Sequence, residues 1–400
     1  MTETTSNRNN TEKGLFSNKP SSFIFHSSSL ILYLTINGVF VMKYSQRTPF
    51  NPLLCLFIYI FLLAAVFFCI KRIPEKYHKH CTLALLAAMT AAVIGALIAI
   101  DPMSVRVDRW SATTYFLDAL FSGQYPYGVH THLCETNFPS PFPFWHYLNI
   151  PFWLLGDVGI GLIAVLLITV YCVWKFSESR ETTFIFTLLL AMSPAYWWEV
   201  LVRSDGLSNA LLVFCVILWM NKLNISFRNR WITTAIICGL AASTRLSAII
   251  PMALFLMLSF FKAGLKVKLL SPIIIIGVIF FLFAPYIFWD AISQCSFSDI
   301  RSATTTFFSR NPFMSQTSTG NIYTMLLMSV VAVAVSIYCG ENFRRLTRIT
   351  SIYIFVFFLI AICYNHFLFN ADISIWDDAE FDVSYLSLAL PYCLSGMRDE

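Results

Sequence analysis

The sequence predicts an all-α polytopic membrane protein: a bundle of about 10 transmembrane helices plus a short helical hairpin, with a large first outer loop carrying interfacial helices. Three observations lead there. Of 400 residues, 57% are hydrophobic and 12% charged, with a mean hydropathy of +0.68, whereas soluble domains carry roughly 25% charged residues. The apolar residues fall in runs of about 17–22, the length that crosses a hydrocarbon core as helix; barrel strands would be about half as long and would alternate in polarity. The basic residues gather in the short polar stretches between those runs. The net charge of +5 therefore reads as membrane topology, with no nucleic acid expected as a partner.

Residues 1–22 are polar, rich in Ser, Thr and Asn, and read as a disordered cytoplasmic tail. Residues 23–400 follow as a single transmembrane domain without internal repeats. The run 23–42 lacks a small-residue cleavage site and reads as a retained first span. Further spans are expected at about 53–70, 82–100, 157–174, 183–199, 206–222, 269–289, 322–340, 350–367 and 383–396. Segment 231–261 is too long for one ordinary span and too short for two, and it carries Arg245 near its middle.

The loops KRIPEKYHKH, KFSESR, NKLNISFRNR, KAGLKVK and ENFRRLTR are basic, and the positive-inside rule puts them in the cytoplasm. Both ends of 231–261 then lie on that side, which requires an even number of crossings: a hairpin with Arg245 at or near its tip. Segment 101–157 becomes the largest outer loop. In it, 111–122 suits a short interfacial helix capped by Ser111 and ended by Gly123. PSPFPFW forces an extended path, and PFWLLGD returns the chain to the bilayer. The acidic run WDDAEFD reads as a solvated outer loop. Eleven cysteines are scattered without a CxxC or metal spacing; Cys134 and Cys295, the two in outer loops, are expected to stay unpaired. His130, His132 and His146 lack a third ligand at zinc spacing, so no metal and no cofactor is expected.

Four charged positions stand out. Asp108 lies just past the third span, flanked by Arg106 and Arg109; it is either a solvated loop carboxylate neutralised by them or a general base at the membrane surface. Asp101, nearer the span, is a helix-end residue or a second carboxylate. Arg203-Ser204-Asp205 makes a tight outer turn, in which Ser204 and Asp205 suit the start of the next helix and Arg203 is placed to meet a phosphate. Arg245 is the sharpest signal, because an Arg inside an apolar segment costs about 2.5–3.5 kcal/mol on insertion scales and marks function by default.

At VDRWSATTYFLDALFSGQYPYG and NFPSPFPFWHYLNIPFWLLGD the chain resembles the GT-C-fold integral membrane glycosyltransferases, most of all bacterial mannosyltransferase-like members that use polyprenyl-phosphate sugars. Their pattern is an Asp in the first large outer loop, an amphipathic helix, a G-x-x-PY element and a Pro/aromatic stretch into the next span. Here these are Asp108, residues 111–122, Gly123 to Tyr127, and residues 139–153. VRSDGLSNALLVF and GLAASTRLSAIIP add to the similarity, which covers most of residues 80–290. Many members carry two adjacent acids in this loop, where this chain has Asp108 followed by Arg109. The resemblance implies a GT-C-like bundle in a bacterial inner or cell membrane, with the active site facing outward. It implies inverting transfer of a sugar from a polyprenyl-phosphate-linked donor to a lipid, glycan or protein acceptor. Asp108 would be the base, Arg203 and Arg245 would bind the donor phosphate, and Asp101, Asp205 and Tyr127 would support them. The alternative from another class is a transporter or flippase for a lipid-linked or anionic substrate, which a charged residue in a broken hairpin would also suit.

Overall fold

Long apolar helices dominate because nothing else satisfies a backbone surrounded by so many apolar side chains. The computed structural model describes residues 26–70, 72–177, 179–317, 322–378 and 381–397, and the tail expected at 1–22 lies outside them. Among the described residues there are helices and no strands. The chain begins with α1 (Ser27–Ser45), α2 (Pro52–Ile70) and α3 (His78–Ala99). Two helices of the first large loop follow, α4 (Arg109–Phe121) and α5 (Pro143–Leu154), then α6 (Ile160–Phe176), the bent pair α7 (Arg180–Ala191) and α8 (Pro194–Leu201), and α9 (Gly206–Lys222). Next come α10 (Trp231–Ala242), α11 (Ile249–Phe261) and α12 (Leu265–Ile287). Three short helices, α13 (Trp289–Ser293), α14 (Ile300–Ser309) and α15 (Pro312–Thr317), lead to α16 (Ile322–Cys339), α17 (Phe343–Phe369) and α18 (Leu390–Ser395).

Among the described residues, four helical stretches are long and apolar enough to cross a membrane: α2, Glu75–Ala99, α12 and α17. A fifth is the pair α7–α8, bent by 60° where Ser193 accepts from the Tyr196 amide and Pro194 opens the second helix. The expected first span is α1, 19 residues but not apolar enough to pass as a crossing, and the remaining expected spans are shorter apolar helices. Segment 383–396 departs furthest from expectation. It is a 3₁₀ helix, Val383–Ala389, running into α18, about 23 Å long at ordinary rises per residue, short of a ~30 Å hydrocarbon core. Val383, Leu386, Ala389, Leu390, Tyr392 and Cys393 have no exposed surface at all. It fills the core between α1, α9 and α17 and offers lipid no face.

Segment 231–261 folds as two helices broken at 243–248. Its two ends lie at one end of the bundle, where Glu341 takes both Arg228 (3.3 Å) and Lys262 (2.9 Å). Its break lies at the other, where the carbonyls of Ser243 and Thr244 accept from the amides of Phe144 and Phe142. Those bonds tie the break to the first large loop. That loop differs from the sequence reading at two places. Helix α4 starts at Arg109, with Asp108 at its N-cap position, and Ser111 Oγ donates to the Asp108 carbonyl rather than capping the helix. PFW is helical from Pro143, because proline suits a first helical position. The acidic run is not wholly solvated: Asp378 is buried, accepting from His366 Nδ1 at 2.6 Å. All eleven cysteines are free, Cys134 and Cys295 exposed among them.

Close packing of α10 on α12 depends on Gly239, where an added Cβ would lie 2.7 Å from Val278 Cβ and 3.1 Å from the Ile275 carbonyl oxygen. Gly239→Val is expected to separate the pair and cost about 1–3 kcal/mol, as overpacking usually does. Thermal unfolding of the detergent-purified variant measures it, with Gly277→Ala, where no heavy atom lies within 4 Å of an added Cβ, as the control.

Candidate functional site

The first large loop, the α8–α9 turn, the α10–α11 break and the loop before α15 converge on a cavity of about 820 Å³. Its polar end is lined by Asp108, Arg109, Asn137, Asp205, Arg245 and Arg310. An apolar arm continues between α11, α16 and α17 past Ile250, Ala253, Met257, Ala332, Phe357 and Phe358. An aromatic cluster built from Phe116, Tyr127, Phe142, Phe283 and Tyr286 forms the wall behind the polar end. Within it, His146 stacks on Phe116 at 3.5 Å and Nε2 lies 3.1 Å from the Pro141 carbonyl. Burial, against the opposing Pro141 hydrogen bond and with a smaller push from Arg245, presses the His146 imidazole down to about 3, so it stays neutral at physiological pH. Burial also pushes the Tyr127 phenol up, and its hydroxyl donates to the Pro141 carbonyl.

Asp205 opens α9, a position where the helix dipole favours an anion. Its Oδ2 accepts from Arg245 Nε at 2.7 Å, and Arg109 Nη1 lies 3.8 Å from Oδ1. Arg109 also donates to Asp382 at 2.8 Å. Burial works against the charge of Arg109, but Tyr385, Asp382, Asp205 and Glu199 outweigh it and hold the guanidinium protonated well above its ordinary range. Arg245 is 4% exposed, and its Nη2 reaches Ser140 Oγ at 3.5 Å.

Asp108 is held differently. Its Oδ2 accepts from Thr131 Oγ1 (3.2 Å) and Asn137 Nδ2 (3.1 Å), two neutral donors on a loop closed by the bond from the Thr131 amide to the Asn137 carbonyl. Oδ1 has no protein donor among the described residues. Neither flanking arginine neutralises it: Arg109 turns to Asp205 and Asp382, and Arg106 is exposed without an ion pair among the described residues.

The structure thus brings Asp108, Asp205, Arg245 and Tyr127 to one cavity and leaves Arg203 and Asp101 elsewhere. Arg203, at φ +49°, pairs with Asp157 at 2.8 Å and donates to the carbonyls of Leu97 and Ile100, closing the C-terminal end of α3. Asp101 is exposed and accepts from the Met103 amide, capping a single 3₁₀ turn. Sequence reasoning missed Asn137 and Arg310, polar residues in loops where composition offers no signal, and read Asp382 only as part of the solvated acidic run. Glu199 is buried beside the site, with Oε2 accepting from the Leu207 amide. Among the described residues no group of three His, Cys, Asp or Glu side chains is placed to hold a metal ion.

Removing one partner of a buried ion pair leaves the other charge uncompensated, typically at about 3–5 kcal/mol. Asp205→Asn is therefore expected to lower stability by an amount of that order, while Asp101→Asn leaves the melting curve unchanged. Chemical or thermal unfolding of both variants in one detergent decides it. No protein-family model matches the chain, and neither does any curated protein or solved structure.

Proposed function

We propose that this chain is an inverting membrane glycosyltransferase of GT-C type, which moves a sugar from a polyprenyl-phosphate-linked donor to an acceptor hydroxyl on a lipid, glycan or protein at the outer face of a bacterial cell membrane. One observation carries the reading. A carboxylate without a cationic partner, Asp108, shares a cavity with Arg245, and that cavity continues into an apolar arm between α11, α16 and α17. A lipid phosphate has the matching shape: an anionic head at the polar end and an isoprenoid tail along the arm.

In this reading Asp108 Oδ1 takes the proton of the acceptor hydroxyl as the acceptor oxygen attacks the anomeric carbon. The bond from that carbon to the phosphate oxygen breaks, and the polyprenyl phosphate leaves as an anion. Two neutral donors orient Asp108 and no cation pairs with it, which suits a group that must accept a proton. Arg245 stabilises the charge that develops on the leaving phosphate, from a site where few water molecules compete. Asp205 supports Arg245 by holding its Nε, and Tyr127 supports the aromatic wall. Two of the basic loops, at Arg228 and Lys262, meet Glu341 of a third, and the site lies at the opposite end, which supports a site facing outward.

The broken hairpin around Arg245 also favours a transporter, so the test must separate the two. Wild-type protein in detergent is expected to consume a polyprenyl-phosphate sugar and release the lipid phosphate, which a transporter does not do. Asp108→Asn is expected to insert normally and lose roughly 10²- to 10⁴-fold in turnover, the usual worth of a general base. Near-normal turnover in that variant removes Asp108 from the mechanism. A topology reporter after Arg348 should read cytoplasmic and one near Gly128 external; a cytoplasmic signal at Gly128 ends the proposal.

A further inference from the structure

Among the described residues that line the cavity, one cation is not committed to a carboxylate. Arg109 is committed to Asp382 and Asp205, and Arg245 gives its Nε to Asp205. Arg310 also lines the cavity, is exposed, and has no carboxylate partner among the described residues. Its position is nonetheless fixed. The Tyr125 hydroxyl donates to the Arg310 carbonyl at 2.6 Å. Helix α14, which ends one residue earlier, is tied down by the bond from the Thr306 amide to Asp290 at 2.9 Å. The guanidinium carbon lies 4.0 Å from the centre of the Phe138 ring. A guanidinium stacked on an aromatic face keeps its N–H edges free, and those edges match two oxygens of a phosphate at once.

We infer that Arg310 is an anion-binding residue that takes the phosphate of the ligand in this cavity. Phe138, on which Arg310 stacks, directly follows Asn137, whose side chain donates to Asp108. The unpaired cation and the cation-free carboxylate are therefore held on neighbouring residues of one loop, within reach of a single ligand. Arg245, buried and half engaged by Asp205, reaches the same cavity from the opposite loop. The inference rests on the transferase reading only for what Asp108 does; the anion site itself follows from the placement of Arg310. A phosphate could arrive free or on a lipid, and the apolar arm favours the lipid.

The test measures binding without turnover. Purified full-length wild type, Arg310→Gln and Arg310→Lys are titrated in detergent with farnesyl phosphate, farnesol and inorganic phosphate. Arg310 is exposed and unpaired, so the variants should keep the wild-type melting curve. Farnesyl phosphate is expected to bind wild type and to bind Arg310→Gln roughly ten- to a hundredfold more weakly, the size of a lost charge-assisted hydrogen bond. Arg310→Lys should fall between them, and farnesol should not distinguish the three. Inorganic phosphate bound as tightly as farnesyl phosphate, with the same dependence on Arg310, would support the anion site with free phosphate as its source. Equal farnesyl phosphate affinity in wild type and Arg310→Gln, or no binding of either phosphate to wild type, overturns the inference. Wild-type turnover of a polyprenyl-phosphate sugar with unchanged Arg310→Gln binding would sink Arg310 and keep the transferase. Lost binding in that variant, with no turnover by wild type, would do the reverse.

Discussion

Asp205 is the point on which the polar half of this molecule depends. A carboxylate 5% exposed at the start of a helix is stable only if cations meet it, because an unpaired buried charge costs several kcal/mol. Arg245 and Arg109 meet it from two different segments, and Arg109 passes the connection on to Asp382 in a third. Four stretches far apart in sequence are thereby required to converge, and the cavity is the space they enclose. Its walls follow from apolar packing, but the register of its polar end follows from these ion pairs.

The contrast between Asp205 and Asp108 separates two uses of the same side chain. Asp205 is met by two cations, which holds structure. Asp108 is oriented by a hydroxyl and an amide, which fix its position without cancelling its charge. A chain that needs a carboxylate to react and another to brace would place them in these two environments, and the two are only a cavity's width apart.

Much of the architecture was legible in the sequence because it follows from long apolar runs. The helices at 53–70, 82–100, 269–289 and 350–367 declare themselves by length alone, and the odd length of 231–261 together with Arg245 pointed to the broken pair. Segment 383–396 was misread because an apolar run looks the same whether lipid or protein surrounds it; the 3₁₀ geometry and complete burial are tertiary properties. Arg203 carries a related ambiguity. A cation in an outer turn satisfies the requirement for phosphate and the requirement for helix-end carbonyls equally, and only the positions of Leu97, Ile100 and Asp157 decide between them. Arg310 and Asn137 carried no signal, and Asp382 was read only as part of a solvated acidic run, because loop residues gain meaning from where loops meet.

The buried segment Val383–Ala389 and α18 also bear on biosynthesis. Asp108 emerges from the ribosome early, Arg245 well over a hundred residues later, and Asp382 later still. The loop that holds Asp108 therefore waits, unfinished, while most of the bundle is inserted. The stretch that completes the core cannot then be laid into lipid like the helices before it; it must slide between neighbours already in place. The cavity closes only once residues 382–395 are in place, so a chain stalled before them would carry inserted helices and an open, incomplete site.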